Sequence, residues 1–297
     1  LWWIGATGVD GVRQDTIQYM PRSFIRDLCD ALHRQYPRMW MVGEVFERDS
    51  AQTAFFIGGH TGWDGIDTKL DSDFDFPLWQ VSLDVFTGKK PMRALRDQLK
   101  YDALYPDPLK ITTLTNNHDT PRFMSLAGAS LEGAMLHTAF MLTVRGTPQL
   151  YSGEEIAMKG KEDPDNRRDF PGGFPGDSHS AFQTNTRSAE EQRMWQWTHD
   201  WIKLRHDHSA LRNGRLTDLF YDDDSYAYAR QDKQETVIVV FNRAISAKEI
   251  TIPATAIGIR DGANMIPLSG TKHGGKVSNG SATLAVPARV AIAYRVE

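Results

Sequence analysis

The sequence has little of several features that would point directly to a class of function. Its 297 residues contain one cysteine, Cys29, so no disulfide can form within the chain. Cys29 falls in an apolar helical stretch, which predicts a buried structural thiol. There is no Cys/His spacing of the kind that binds a metal ion, and no run of about 18 apolar residues that would span a membrane.

An excess of basic residues is also absent. The chain carries 34 Lys and Arg against 38 Asp and Glu, giving a formal net charge of -4, and it has no long basic run. Because phosphate binding needs clustered Lys and Arg, we expect no nucleic acid partner. The composition, 40% hydrophobic and 24% charged, is that of a globular protein with one large domain or a medium and a small one.

Short strands and helices alternate in the first part of the chain. Residues 9–14 and 39–43 are apolar runs that predict strands. Between them, Phe24 and Ile25 belong to a set of apolar residues at helical spacing, in a helix that begins at Pro21. A strand–helix–strand unit of about 30 residues has the size of a βαβ crossover, so we expect the two strands to be parallel.

The same alternation continues towards the end of the chain. Further helices are predicted over residues 77–87, 91–101, 131–144 and 190–206. Further strands are predicted near residues 69–70, 111–115 and 149–151, with a long loop over residues 159–185. In the last helix, the residues expected to pack are Trp195, Trp201, Ile202 and Leu204. After Gly214, short strands at residues 226–230, 236–242 and 291–296 predict a small antiparallel β domain.

Acidic residues follow three of these predicted strands directly, as Asp15, Glu44 and the pair His118-Asp119. In α/β barrels the loops at the carboxyl ends of the strands converge on one mouth, so we expect these residues to meet. Arg13 lies on the same strand face as Asp15, where its guanidinium would hold that carboxylate ionised. Two carboxyl groups about 5 Å apart, on neighbouring strands, satisfy the requirement of retaining glycoside hydrolysis.

Four segments, taken in order, resemble motifs of the α-amylase family (glycoside hydrolase family 13). Gly11-Val12-Arg13-Gln14-Asp15 resembles the nucleophile motif of that family, and Gly43-Glu44-Val45 resembles its acid/base motif. Asn117-His118-Asp119 resembles the third motif, and residues 146–155 look like the segment at the last barrel strand. Residues 165–170 are most similar to bacterial neopullulanase and cyclomaltodextrinase relatives.

The resemblance implies Asp15 as nucleophile, Glu44 as general acid/base and Asp119 as the group that holds sugar hydroxyls in the transition state. The implied substrate-binding residues are Arg13, His118, Asp163 and Arg167. The implied activity is cleavage of α-1,4-glucosidic bonds in maltooligosaccharides, cyclodextrins, starch or pullulan, through a covalent glycosyl-enzyme. An α-glucan is thus the expected partner, no cofactor is expected for the chemistry, and a homo-oligomer is compatible with the family.

The implied fold is α/β, with the C-terminal part of a TIM (β/α)8 barrel, about strands four to eight, over residues 1–214. A small antiparallel β-sandwich domain is expected over residues 215–297. The family's first motif and first strands have no counterpart, so we expect them before Leu1, together with the usual ligands of its structural calcium. No residue here is therefore assigned to a metal, and no compartment is predicted. A further departure is that Thr16–Tyr19 replaces a Lys-His pair of the family.

Plainer interpretations of the same residues remain open at this stage. Glu44 could pair with Arg48, and Asp163 could simply pair with Arg167 in a solvated loop. Trp63, Trp79 and Tyr151 either stack on sugar faces or are core residues. The acidic run Asp222–Asp224 is either a solvated turn or a calcium site. The alternative functions are an α-glucan transglycosylase, a non-catalytic glucan-binding protein, and a metal hydrolase built on the same acids.

Overall fold

The computed structural model describes every residue from Leu1 to Glu297, and its first part alternates parallel strands with helices. The helices are α1 (Trp2–Thr7), α2 (Arg22–Gln35), α3 (Ser50–Phe56), α4 (Phe76–Phe86), α5 (Arg93–Leu99), α6 (Leu131–Thr143), α7 (Ala189–Asp207) and α8 (Ser209–Asn213). The strands among them are β1 (Gly11–Gln14), β2 (Trp40–Gly43), β3 (Ser72–Asp73), β4 (Thr112–Leu114) and β5 (Thr147–Gln149). None of the helices combines the length and apolarity needed to cross a lipid bilayer.

The five strands form one parallel array in chain order. β1, β2 and β3 pair in sequence, and β4 pairs with β5. A parallel bridge between Phe74 and Thr112 connects the two groups. All five strands therefore direct their carboxyl ends to the same edge, which is where the predicted acids lie.

The βαβ unit predicted at the start of the chain is confirmed, with β1 and β2 paired in parallel. Ile25, Cys29 and Leu32 of α2 are buried, and they pack in one apolar cluster with residues of β2. Phe24, which we predicted on the same apolar face, is instead 53% exposed. It sits one position from Ile25, about 100° around the helix, and so points to solvent.

Two of the predicted strand positions were wrong. The strand expected at residues 69–70 lies at Ser72–Asp73, because Lys69 has a φ of 58°, in the left-handed region that a strand excludes. The strand expected at residues 149–151 ends at Gln149, since its pairing with β4 runs from Thr147 to Gln149. Leu150 and Tyr151 therefore belong to the loop beyond the strand.

The helix predicted over residues 91–101 is shorter than expected. It spans Arg93–Leu99 and then tightens into a 3-10 turn over Lys100–Leu104. Pro91 lies outside the helix. The backbone N–H groups of the two residues after it donate hydrogen bonds to carbonyl oxygens of the β tail. The helices predicted over 77–87, 131–144 and 190–206 agree with α4, α6 and α7 to within one residue at each end.

The main core lies between α4, α6, α7 and the β tail. Of the four residues of α7 predicted to pack, Trp201 and Leu204 are buried, as expected. Ile202 is 42% exposed, so its predicted burial was wrong. Trp195 lies at the periphery, stacked on His199 and beneath the guanidinium of Arg187.

The tail predicted to be antiparallel is confirmed as two antiparallel sheets. Six strands form the larger sheet, in the order β11-β10-β13-β8-β7-β6, and β12 pairs with β9 in the smaller one. Their bounds are β6 (Arg215–Tyr221), β7 (Ser225–Gln231), β8 (Thr236–Asn242), β9 (Lys248–Pro253), β10 (Asn264–Ser269), β11 (Gly275–Lys276), β12 (Ser281–Val286) and β13 (Val290–Val296). The two sheets share one buried apolar cluster, so they form two layers.

The larger sheet is joined to α6 through the last turn of that helix. Arg230 of β7 donates to the carbonyl oxygen of Thr143 at 2.6 Å, and Arg205 of α7 donates to that of Leu142 at 2.9 Å. The hydroxyls of Tyr228 and Thr143 lie 2.6 Å apart. Both guanidinium groups thus satisfy carbonyls at the negative end of the α6 dipole, which favours cations there.

Candidate active site

Asp15 and Glu44 face each other across neighbouring strand ends. Gln14 of β1 is level with Gly43 of β2, and the backbone N–H of Glu44 donates to Gln14 at 3.0 Å. Asp15 and Glu44 are thus each the first residue after the paired part of its strand. Glycine before Glu44 leaves room for neighbouring side chains, since a Cβ at position 43 would lie 2.8 Å from Leu70 Cδ2 and 2.9 Å from Ile17 Cγ2.

One guanidinium contacts both carboxyl groups. Arg13 Nη1 lies 2.7 Å from Asp15 Oδ1, and Arg13 Nη2 lies 2.6 Å from Glu44 Oε1. The width of a single guanidinium keeps these two oxygens within about 8 Å of each other. The convergence of the two acids, on which the interpretation of the sequence depends, is therefore present in the fold.

The charge state of Asp15 follows from these contacts. The hydrogen bond from Arg13 lowers the pKa of Asp15 below its ordinary value, with further lowering from the Arg13 charge, from contact with Glu44 and from the field of His118. Desolvation opposes these effects without cancelling them, and 61% of the side chain stays exposed. Asp15 is an ionised, accessible carboxylate, which is the state a nucleophile needs.

Glu44 is held from two sides in a nearly closed environment, with only 5% of the residue exposed. Arg13 bonds to Oε1, and the backbone N–H of Thr16 donates to Oε2 at 3.2 Å. Thr16 adopts a left-handed conformation with a φ of 50°, uncommon for a β-branched residue. This turn folds the chain after Asp15 back over Glu44, so strain at Thr16 accompanies the fixed orientation of Glu44.

The His118-Asp119 pair lies on the turn after β4. Asp119 Oδ1 accepts from Arg167 Nη2 at 3.0 Å, and Asp119 Oδ2 lies 3.3 Å from His118 Nε2. Arg167 Nε also lies 3.1 Å from Asp163 Oδ1. Asp163 and Arg167 thus pair with each other, and Arg167 additionally contacts Asp119.

A cavity of about 260 Å³ lies at the carboxyl ends of the strands, and of the predicted site residues only Arg13 and His118 line it. Its lining residues are Arg13, Phe74, Leu114, Asn117, His118, Gln149, Leu150 and Tyr151. Arg13 and His118, which the sequence had placed in one site, therefore share a wall. The predicted site did not include Asn117, Gln149 or Phe74. Each of them ends a strand or follows one, and this location was the signal in the sequence that could have identified them.

A buried polar cluster beneath the His118-Asp119 turn was also missed. The side-chain amide of Asn166 donates to the carbonyl oxygens of His118 at 2.7 Å and Thr120 at 3.1 Å. Arg122 donates to the carbonyl oxygens of Asn166 at 3.0 Å and Ser152 at 2.7 Å. Because Asn166 and Arg122 are both 1% exposed, this cluster ties three loops together at fixed positions.

Two further acids lie buried behind the cavity. Asp73 of β3 accepts from the backbone N–H groups of Val45 at 3.1 Å and Phe74 at 2.7 Å, and burial raises its pKa well above the ordinary value. Burial likewise raises the pKa of Glu154 to about 7, against the opposing charge of Arg122. Both groups thus favour a proton far more than an exposed carboxyl group does.

The other interpretations of individual residues can now be compared with the structure. Glu44 pairs with Arg13, whereas Arg48 lies over the rings of Phe46 and Trp79. Trp79 is a core residue, 3% exposed, that donates to the carbonyl oxygen of Thr115. Tyr151 lines the cavity, and Trp63 is 45% exposed elsewhere.

The acidic side chains of the run over residues 222–224 are engaged by a cation of the protein. The acidic run over residues 222–224 pairs with Lys248, which lies 3.2 Å from Asp222 and 3.3 Å from Asp224. No group of three or more His, Cys, Asp or Glu side chains in the structure has the arrangement of a metal site.

Comparison with known proteins identifies the family. Residues 1–214 match the α-amylase catalytic domain. The β/α-amylase of Paenibacillus polymyxa is 29% identical over 258 residues, which cover 84% of this chain and 19% of that protein. The cyclomaltodextrinase of Geobacillus thermopakistaniensis (strain MAS1) is 28% identical over 265 residues, covering 86% of this chain and 40% of the relative.

A solved structure has the same fold. The α-amylase from Geobacillus thermoleovorans, complexed with acarbose, superimposes with a TM-score of 0.83 at 24% identity, covering 100% of this chain and 62% of that one. The chain thus spans well under half of the two curated relatives and less than two thirds of this structure. By its sequence match and its fold, the chain belongs to the α-amylase family of glycoside hydrolases.

Proposed function

We propose that the protein is a retaining glycoside hydrolase that cleaves α-1,4-glucosidic bonds, with Asp15 as nucleophile and Glu44 as general acid/base. The observation that carries this proposal is the single guanidinium of Arg13, bonded to both acids at the ends of neighbouring strands. Retaining chemistry needs two carboxyl groups about 5–5.5 Å apart, one ionised and one able to donate a proton. The lowered pKa of Asp15 and its contact with Glu44 support this division of roles.

In the first step, the carboxylate of Asp15 attacks the anomeric carbon while Glu44 protonates the departing oxygen. The glycosidic C–O bond breaks and a covalent ester to Asp15 forms. In the second step, Glu44 takes a proton from water, whose oxygen displaces Asp15 from the anomeric carbon. Arg13, which bonds to both acids, is suited to balance the negative charge that moves between them.

Asp119, His118 and Arg167 are proposed to bind the ring that is attacked, together with the adjoining glucose unit. Their support is the hydrogen-bonded arrangement beside the cavity, with Arg167 contacting Asp119 at 3.0 Å. Asp163 is proposed to act through Arg167, to which it is paired. Charge-assisted contacts of this kind suit a sugar that presents several hydroxyl groups in fixed directions.

The substrates we propose are maltooligosaccharides, cyclodextrins, starch or pullulan. A transglycosylase is the second candidate, because a sugar hydroxyl can replace water in the second step. The exposed face of Asp15, 61% accessible, leaves room for either acceptor. Product analysis at high maltooligosaccharide concentration separates the two, since a transferase forms oligomers longer than the substrate.

We further infer that β1 to β5 correspond to strands four to eight of a (β/α)8 barrel, and that a separate β domain begins at residue 215. The parallel order of the five strands supports the first inference. The start of β6 at Arg215, where the family match also ends, supports the second.

The proposed function is tested with the Glu44→Gln variant of the full-length protein. Loss of the proton donor should lower kcat on maltooligosaccharides by about 10³-fold. Glucan binding, measured by calorimetry, should persist, because the replacement keeps the shape of the side chain. Turnover within a factor of two of the unsubstituted protein would dismiss Glu44 as the acid/base.

A further inference from the structure

Asp73 ends β3 beside the proposed acid/base, although the proposed mechanism does not use its side chain. In the pairing of β2 with β3, Asp73 is level with Gly43, the residue directly before Glu44. Asp73 is fully buried, and one of its carboxyl oxygens, Oδ2, has no hydrogen-bond partner. Because a buried polar atom without a partner is costly, the presence of a carboxyl group at this position calls for a functional reason.

The other oxygen of Asp73 holds the backbone that carries Glu44. Asp73 Oδ1 accepts from the backbone N–H of Val45 at 3.1 Å and from that of Phe74 at 2.7 Å. The N–H of Phe74 also donates to the carbonyl oxygen of Gly43 at 3.3 Å. The residues on both sides of Glu44 are therefore bonded to the end of β3.

The Asp73 side chain continues a pairing that the backbone has ended. Backbone pairing between β2 and β3 stops at Gly43 and Asp73, one residue before Glu44. On the opposite side, the N–H of Glu44 donates to the carbonyl oxygen of Gln14 in β1 at 3.0 Å. Glu44 thus leaves the sheet with its backbone held from both neighbouring strands. Because a side chain follows the direction of its backbone, the orientation of the Glu44 carboxyl group depends on both contacts.

The surroundings of Asp73 favour the uncharged form of its carboxyl group. The ionisable groups that act on it are two further acids, Glu44 at the end of β2 and Asp75 just before α4, and Asp75 is itself paired with Arg145. The hydrogen bonds that Asp73 accepts come from backbone N–H groups and not from a cation. An ionised Asp73 would repel the charge that Glu44 gains when it protonates the leaving oxygen. An uncharged Asp73 avoids that repulsion and still accepts both bonds.

We propose that Asp73 is a positioning residue for Glu44, an uncharged carboxyl group that holds the N–H of Val45 and thereby aims the acid/base at the leaving oxygen. The proposal rests on the proposed function, since it takes Glu44 as the proton donor. Asp73 does not contact the sugar and forms no covalent bond in either step. Its effect is confined to the proton transfers that Glu44 performs.

The test compares Asp73→Leu with the unsubstituted full-length protein on two substrates. Leucine fills the space of the carboxyl group but accepts no hydrogen bond. Maltohexaose needs a proton on its leaving group, whereas fluoride leaves α-glucosyl fluoride without one. Because kcat/KM reports the first chemical step, we expect it to fall about tenfold for maltohexaose and to change less than twofold for the fluoride. An equal loss on both substrates would indicate general damage to the site and would overturn the proposal.

Asp73→Asn separates the hydrogen bonds from the charge. Asparagine keeps a carbonyl oxygen for the two N–H groups and is always neutral, so it should recover most of the loss on maltohexaose. The basic limb of the kcat/KM profile, which reports the proton on Glu44, should stay at the same pH. A limb that moves to lower pH would show that Asp73 is normally ionised, and the proposal would fail.

Asp71→Leu is the matched control at the other end of the same pair of strands. Asp71 Oδ2 accepts from the backbone N–H of Met41 at 2.8 Å, so this replacement also removes a bond between an aspartate and β2. Met41 lies three residues before Glu44, away from the carboxyl edge. Asp71→Leu should lower the melting temperature and leave the ratio of the two kcat/KM values unchanged. The same selective loss in this control would contradict a specific role of Asp73.

Two further measurements keep the inference separate from folding and from the proposed function. If Asp73→Leu does not fold, as judged by circular dichroism, Asp73→Ala removes the same acceptor with a smaller side chain and gives the same comparison. An unchanged substrate ratio in the Asp73 variants, together with an inactive Glu44→Gln, would overturn this inference alone. The proposed function fails on a different observation, namely full turnover in Glu44→Gln.

Discussion

Arg13 Nη2 donates to Glu44 Oε1 at 2.6 Å. The two residues belong to neighbouring strands whose paired positions are 29 residues apart in sequence. The same guanidinium bonds to Asp15 at 2.7 Å, so one cation orients both acids and fixes the distance between them. Lysine at this position would supply a charge but no fork, and could not hold two carboxylates in one plane.

Replacement of Arg13 by Met should impair catalysis and shift its pH dependence. Loss of the fork should lower kcat by about 100-fold, in the range observed when one preorganised donor is removed. Because Arg13 is the main cause of the lowered pKa of Asp15, that pKa should rise in the variant. Activity that needs an ionised Asp15 would then be lost at a higher pH, so the acid limb of the kcat/KM profile should move upwards. An acid limb at the same pH in both proteins would contradict this account of Asp15.

Asn166→Asp tests the buried cluster below the His118-Asp119 turn. The replacement puts an oxygen where the amide now donates to two carbonyl groups, so two hydrogen bonds are lost and like partial charges meet. We expect a loss of about 1–3 kcal/mol in the free energy of unfolding and about a tenfold fall in kcat as Asp119 shifts. Asn185→Asp, the same replacement at an exposed position, is the control. Normal kcat with reduced stability would assign Asn166 a structural role alone.

The raised pKa of Asp73 predicts that the free energy of unfolding decreases as the pH rises. Its pKa is higher in the folded protein than in the unfolded chain, because burial disfavours the charged form. The folded state therefore binds more protons, and this contribution to stability is complete at acidic pH and falls as the pH rises above the pKa of the unfolded chain. Asp73→Asn stays neutral and should reduce that fall, as measured by urea unfolding between pH 4 and neutrality, which spans about three pH units. Parallel stability curves for the two proteins would refute a raised pKa.

The thiol of Cys29 should react very slowly with thiol reagents in the folded protein. It is fully buried, and burial raises its pKa to about 12, with a smaller effect from Asp71. Because the thiolate is the reactive form, labelling with a disulfide reagent at pH 8 should be at least about 100-fold slower than in urea. Rapid labelling of the folded protein would show that α2 opens more easily than its packing implies.

Much of the acid site could be predicted because its signals are local. Asp15 and Glu44 each follow a short apolar strand, and the shared edge of parallel strands brings such positions together whatever lies between them. The contact of Arg13 with Asp15 followed from the alternation of side chains along β1, whereas its bond to Glu44 was not predicted. The roles themselves stay proposals, since they concern chemistry and not position.

Other features depend on tertiary contacts that no local pattern encodes. The left-handed turn at Lys69 displaced β3, and the register with β4 ended β5 at Gln149. Ile202 is apolar at helical spacing yet faces solvent, because α7 packs through a different face. Asn166 was uninformative in sequence, since its significance lies in the distant carbonyl groups to which it donates.

The central claim is that Asp15 and Glu44 act on one sugar, the first as nucleophile and the second as acid/base. The most direct measurement is mass spectrometry of the full-length Glu44→Gln protein incubated with α-glucosyl fluoride, whose leaving group needs no proton. Because the base for the second step is missing, a glucosyl ester should accumulate and map to the peptide that contains Asp15. An adduct on a different residue, or an active Glu44→Gln enzyme that never forms one, would contradict the account.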